Sequence, residues 1–248
     1  MTTGPRPSHD CGNAHNVLVG SNKKIATTAW EEADALGYIP YVLSTSLDGE
    51  AREIGSTFAK LADFICRSMG NKAGRDVTHL MQDEIALIQL GISKDIVNDI
   101  RNLADDAVNR VKPICIIGSG ETTVTVKGKG VGGRNQELAL AAAIQMNKTM
   151  YNDPVIMKNF QVQFLSFGTD GQDGPCDAAG AMSDPGLLSR AQEQGLDVEE
   201  YLDNNDTFNF FAALEDGKHH LISGLTGTNV MDLQLLLIQP HLWTSYHD

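Results

Sequence analysis

Apolar residues along the first seventy positions alternate between two rhythms. Ile25, Ala29, Ala33 and Leu36 recur at helical spacing, with Ser21 or Asn22 placed to cap the helix and Gly37 to end it. The short apolar runs on either side, Asn16–Gly20 and Tyr38–Ser44, read as strands. Residues 50–69 return to the helical rhythm, with Ile54, Phe58, Leu61, Ile65 and Met69 on one face. Strand, helix, strand, helix predicts part of a parallel sheet with right-handed crossovers. The polar stretch 71–110 predicts two further helices, around 82–90 and 94–108, as cover or connector.

From Lys112 the texture changes. The pattern predicts a strand over Pro113–Ile117, a turn at Gly118-Ser119-Gly120, and a β-branched strand over Thr122–Val126. A glycine-rich stretch, Gly128 to Gly133, then opens a helix over about 134–146. Gln161–Phe167 is a strand, residues 184–195 and 206–213 are helical, and Asp232–Ile238, with alternating Leu233, Leu235 and Leu237, closes the chain as a strand. The expected fold class is α/β: an exposed lead-in over residues 1–15, a partial Rossmann-like parallel unit over 16–111, and a mixed-sheet α/β domain over 112–248.

Four motifs in the second part hold candidate chemistry. Gly132-Gly133-Arg134-Asn135-Gln136-Glu137 sets bare backbone and a permanently charged fork at a helix N-terminus, where the dipole favours an anion. A solvated Arg134 on a flexible loop explains the spacing equally well. Gly128, Gly130 and Gly133 spell the dinucleotide fingerprint, but the acid it wants at the end of the next strand, roughly 20 positions on, falls here at Asp170, 37 residues after Gly133. Gly168-Thr-Asp-Gly-Gln-Asp-Gly-Pro-Cys-Asp177 carries Asp170, Asp173 and Asp177 just past a strand, where open α/β sheets bind ligands. Such carboxylates suit Mg²⁺ shared with phosphates, or acceptance of a hydroxyl proton; the plain alternative is an Asp/Gly turn. The third motif is Gly118-Ser119-Gly120-Glu121-Thr122-Thr123, where Glu121 could orient Arg134 or bind hydroxyls; spacing alone favours an exposed turn acid with no role. Thr226-Gly227-Thr228-Asn229 is a polar turn entering the last strand. His219-His220 reads as a solvated turn. No GxxxxGK[ST] phosphate loop, HExxH or CxxC pair occurs.

Composition narrows the partners. The 19 basic and 32 acidic residues give a formal net charge of −13, a field that repels nucleic acid and anionic membrane. Four unpatterned cysteines (Cys11, Cys66, Cys115, Cys176) predict thiols in a reducing, cytoplasmic setting, with Cys115 as a small core residue. Residues 1–15 lack the apolar core of a signal peptide.

Three strings resemble the class II glycerate kinases: Gly120 through Glu137, Gly168 through Gly180, and Thr226-Gly-Thr-Asn-Val230. All fall in that family's C-terminal part, the MOFRL domain. Val19-Gly20-Ser21-Asn22 and Gly49-Glu-Ala-Arg-Glu53 are similar to the end of its larger N-terminal domain, so the resemblance covers roughly residues 16–238. Two departures are small: Gly118-Ser119-Gly120 stands where Ser-Gly-Gly is usual, and Cys176 where Thr is usual. The resemblance implies ATP- and Mg²⁺-dependent phosphorylation of D-glycerate, generally at the 2-hydroxyl, in a cleft between two α/β domains. Carried over, Arg134, Asp170 and Asp173 are the catalytic residues, with the two acids also as metal ligands. Glu121, Thr122, Gly132, Gly133, Asn135 and Asp177 line the substrate. Because most of the family's N-terminal domain has no counterpart in this sequence, a non-catalytic fragment that associates with itself or with a full-length enzyme is the alternative expectation.

Overall fold

The computed structural model describes residues 20–70 and 77–241. The expected lead-in over 1–15, all of the strand Asn16–Gly20 but its last residue, and positions 242–248 lie outside the described residues. In chain order the elements are α1 (Asn22–Ala35), β1 (Ile39–Leu47), α2 (Ala51–Gly70), α3 (Val77–Gln89), α4 (Lys94–Arg110), β2 (Ile114–Gly120), α5 (Arg134–Met146), α6 (Pro154–Asn159), β3 (Phe160–Gly168), β4 (Gly180–Ser183), α7 (Leu187–Glu193), α8 (Val198–Asp203), α9 (Thr207–Ala213), β5 (His220–Leu221) and β6 (Asp232–Pro240).

The six strands make one mixed sheet in the order β1-β2-β6-β3-β4-β5. β1 and β2 are parallel, and every other neighbouring pair is antiparallel. Elements from both sides of residue 111 therefore share one sheet. Because β6 is inserted between β2 and β3, Gly120 and Gly168 both stand opposite Asp232. That row, at the C-terminal ends of β2 and β3, is where the site is built.

Local chemistry explains most boundaries. The Ser21 hydroxyl accepts from the Lys24 amide at 3.2 Å to start α1, and Gly37, at φ 90°, lets the chain leave it. Glycine at position 55 allows α2 to lie against α5, since a Cβ there would sit 2.3 Å from the Leu138 carbonyl oxygen. Phe58 of α2 and Phe164 of β3 pack with ring centroids 5.0 Å apart in the main core. Fully burying a side chain of that size stabilises the fold by about 1.5–3 kcal/mol. The opposite face of the sheet packs Cys115, Ile117 and Leu233 under α1. A further cluster joins Leu140 and Ile144 of α5 to Phe210 and Phe211 of α9.

Two expectations change. Gly118-Ser119-Gly120 is not a turn but the end of β2; side chains at 118 or 120 would collide with Leu47, whose backbone lies 2.1 Å from a Cβ built at 120. Thr122–Val126 is not a strand. Apart from one bridge between Thr123 and Glu50 it has no ladder partner, and the Glu50 carboxylate instead receives the Thr125 amide at 2.9 Å and its hydroxyl at 3.0 Å. β-branched residues favour extended backbone, but only a neighbouring strand turns that into a ladder. None of the described helices is long and apolar enough to cross a membrane.

Candidate functional site

The first turn of α5 organises this end of the molecule, because each residue of Arg134-Asn135-Gln136-Glu137 reaches a different element. Arg134 forms a bidentate pair with Asp232 at the start of β6, Nε to Oδ2 at 2.6 Å and Nη2 to Oδ1 at 2.9 Å. Its Nη2 also lies 3.2 Å from Glu121. The hydrogen bonds and charge of Asp232 hold the guanidinium more firmly protonated than usual, against the opposing effect of burial. Asn135 accepts from Ser166 of β3 at 2.5 Å. Gln136 contacts Asp173, and its side-chain oxygen lies 3.2 Å from His220 Nε2. Glu137, buried, accepts from Arg52 of α2 at 2.6 Å and from Asn205 at 3.1 Å.

The anion position expected at the α5 N-terminus is taken by a side chain of the protein itself. Asp173 accepts from the backbone amides of Asn135 and Gln136 at 2.9 Å each, and from their side-chain amides at 3.2 and 3.0 Å. It is 1% exposed, and burial pushes its carboxyl above the ordinary range although all four bonds pull it down. Gly133 is needed for this closure: a Cβ there would lie 2.4 Å from the Asp173 carboxylate.

The glycine-rich stretch is engaged in the same way. Lys127 and Gly128 donate their amides to Asn205 Oδ1 at 2.7 and 3.0 Å, Lys129 to Asn204 Oδ1 at 3.0 Å, and Val131 to Asp206 Oδ1 at 2.8 Å. Its glycines permit close docking on the α8–α9 connection; a Cβ on Gly132 would meet the Thr207 hydroxyl at 2.2 Å. These amides bind acceptors of the protein itself.

Outside this buried layer lies a more open strip. Asp170, half-buried, accepts from the Gln172 amide at 3.1 Å and from Asn229 at 3.2 Å. The Thr226 turn is tied to the same loop through its amide to the Asp170 carbonyl at 3.1 Å and its hydroxyl to the Thr169 carbonyl at 2.6 Å. A Cβ on Gly168 would stand 3.0 Å from Asp170 and 3.6 Å from Asp232, so the arginine pair and Asp170 share one sheet end. Thr122 is buried, and its hydroxyl has no partner among the described residues. Asp177 is exposed beyond the loop.

Thus Arg134, Asp170, Asp173, Glu121, Thr122, Gly132, Gly133 and Asn135 gather at one end of the sheet, but Asp173, Gly132, Gly133 and Asn135 face inward. Sequence reasoning missed Asp232, reading it as the polar partner in an alternating strand; it is fully buried. The available signal was a carboxylate in an apolar run, which needs a cation, and Arg134 beside two glycines was that cation. It also missed the histidines: His219 is buried 2.8 Å from Glu215, and His220 stacks on Phe208 with ring centroids 4.9 Å apart. No group of three or more His, Cys, Asp or Glu suited to a metal occurs among the described residues.

Residues 114–232 match the MOFRL family. The chain is 39% identical over 237 residues to a glycerate kinase of Rattus norvegicus, an alignment covering 95% of this chain and 44% of that protein. It is 36% identical over 232 residues to a D-glycerate 2-kinase of Thermotoga maritima, covering 94% and 43%. The crystal structure of a glycerate kinase from Thermotoga maritima superposes with a TM-score of 0.60 at 35% identity, covering 90% of this chain and 41% of that one. The chain therefore spans less than half the length of these relatives, and its resemblance to the C-terminal part of the glycerate kinases runs through nearly all of it.

Proposed function

We propose, on the premise that residues 114–232 form a MOFRL domain, that the chain builds a glycerate kinase site, where ATP phosphorylates D-glycerate at its 2-hydroxyl. One observation carries the reading: the Arg134–Asp232 pair and the Asp170 carboxylate stand at the same sheet end around Gly168, with Asp170 held by Asn229. A fixed guanidinium suits the carboxylate of glycerate or a phosphoryl oxygen. Charge stabilisation and positioning do most of the work in phosphoryl transfer.

The two acids expected to share metal binding take different roles in this proposal. The oxygens of Asp173 are directed at four α5 donors, so it serves as the structural anchor. Asp170 keeps acceptor capacity on the open side and fits a Mg²⁺ held by one protein carboxylate plus phosphates and water. Such an ion would neutralise charge on the donor's phosphates. Purified protein with Mg-ATP and D-glycerate should release ADP in a glycerate-dependent reaction, with the product position read by phosphorus NMR. Arg134→Lys should lower turnover at least 100-fold, and Asp170→Asn should raise the Mg²⁺ requirement. Absence of glycerate-dependent ADP release at any Mg²⁺ concentration would overturn the reading for this chain.

A second reading, a partner-binding module, draws on a separate observation. Ile222 and Leu225 are 64% and 77% exposed, and Ile222 borders a cavity of about 310 Å³ floored by Leu165, Phe167 and Leu221. Gel filtration separates the two: a monomer that turns over glycerate excludes the second.

A further inference from the structure

The guanidinium of Arg134 has two edges, and the protein treats them differently. The inner edge, Nε and Nη2, meets Asp232 at 2.6 and 2.9 Å. Asp232 is 0% exposed, and its backbone is fixed independently: it stands opposite Gly120 and Gly168, and its carbonyl accepts from the Ser119 hydroxyl at 3.0 Å. The outer edge, Nη1 and the second proton of Nη2, has one contact among the described residues, Glu121 at 3.2 Å. That carboxylate is 54% exposed and belongs to the loop after β2.

We propose that Asp232 is a positioning residue that pins Arg134 by its inner edge, and that Glu121 is a resident counter-ion on the outer edge which an anionic ligand oxygen displaces. The inference rests on the phosphotransfer reading above for its ligand, but not for the pin. Three physical points support it. A bidentate, charge-assisted pair between a half-buried guanidinium and a fully buried carboxylate is strong and directional, whereas a single contact to a mostly exposed carboxylate is worth little. A buried carboxylate without its cation is costly, so the pair holds both groups in place; burial still leaves the Asp232 carboxyl above its ordinary range while Arg134 pulls it down. The pin also removes rotamer freedom from a long side chain before any ligand arrives, so less is lost on binding. The ligand this edge recognises is a carboxylate or phosphate monoester oxygen, bound by exchange for the Glu121 carboxylate.

The test combines two readouts on the full chain. Nitrogen-15 NMR follows proton exchange at Arg134 Nε, and calorimetry follows binding of inorganic phosphate and of 2-phosphoglycerate. Asp232→Asn should speed Nε–H exchange and weaken both anions, each by about tenfold. Glu121→Gln should leave Nε–H exchange unchanged and tighten both anions about threefold, because the competitor is removed while the pin stays. Asp232→Glu keeps the charge but moves the fork, so it should fall between wild type and Asp232→Asn and serves if the Asn variant does not fold. Unchanged Nε–H exchange in Asp232→Asn overturns the pin, and unchanged or weaker anion binding in Glu121→Gln overturns the displacement. If wild type binds neither anion while Asp232→Asn still speeds exchange, the pin is supported, and the displacement and the phosphotransfer reading are both overturned.

Discussion

Asp173 and Asp170 stand three residues apart in one loop yet belong to two regions that work in opposite ways. On the inner side, the backbone and side-chain amides of Asn135 and Gln136 all reach the Asp173 carboxylate, and the three residues are buried as a closed set. On the outer side, Asp170, Glu121 and Asn229 are exposed or half-buried, with one or two side-chain contacts each at 3.0 to 3.2 Å. The difference teaches that an acidic, glycine-rich motif can devote half of its polar groups to building the other half's platform. A buried carboxylate with four donors is a structural part, and one with open lone pairs is available for chemistry.

The sharpest attack on this division is Asp173→Ala, which strands two backbone amides at the α5 N-terminus. It should cost about 3 kcal/mol of stability in denaturant unfolding, whereas Asp170→Ala should cost well under about 1 kcal/mol. Equal costs would erase the distinction. Gly133→Ala, which drives a methyl into the Asp173 carboxylate, should cost about 2 kcal/mol, read as a lowered midpoint at unchanged slope.

A subtler probe uses pH. Burial raises the Asp173 carboxyl above its unfolded value of 3.8, so the folded protein binds this proton before the unfolded chain does. The stability it contributes therefore grows as pH falls through the folded value and is complete below the unfolded one. The stability gap between wild type and Asp173→Asn should consequently widen on acidification from neutrality, as measured by urea unfolding across pH. A narrowing gap would mean that the four hydrogen bonds outweigh burial. His220 shifts the other way: burial lowers it below 6.5, so it favours the fold above that pH and loses this contribution as pH falls. Its imidazole should titrate below a free histidine in proton NMR. The smallest effect belongs to Glu121→Gln, which should alter stability by no more than about 0.5 kcal/mol because the side chain is mostly in water.

Much of the fold was legible where the signal is local. The helix expected over about 134–146 runs from Arg134 to Met146, because Gly133 opens it and an Ala- and Leu-rich segment follows. The stop of α1 at Gly37 was equally readable from one residue's backbone freedom. The short α6, α8 and β4 left too few residues for a period to register. At the site, Arg134, Glu121 and Asp170 stood out by residue type, while Asp232 hid as an ordinary alternation and His219-His220 as an ordinary turn.

By itself, the sequence determined most of the longer helices and strands, that the chain is α/β, and that three polar motifs resemble one family's C-terminal part. Those properties depend on spacing, caps and composition, all of them short-range. Only the tertiary structure decided which polar groups face inward. The insertion of β6 between β2 and β3 brings Asp232 behind Arg134, and the docking of the Gly168–Asp177 loop turns Asp173 into the α5 N-terminus. Whether a carboxylate is saturated or open depends on partners 37 to 98 residues away in the chain, and no local pattern encodes that distance.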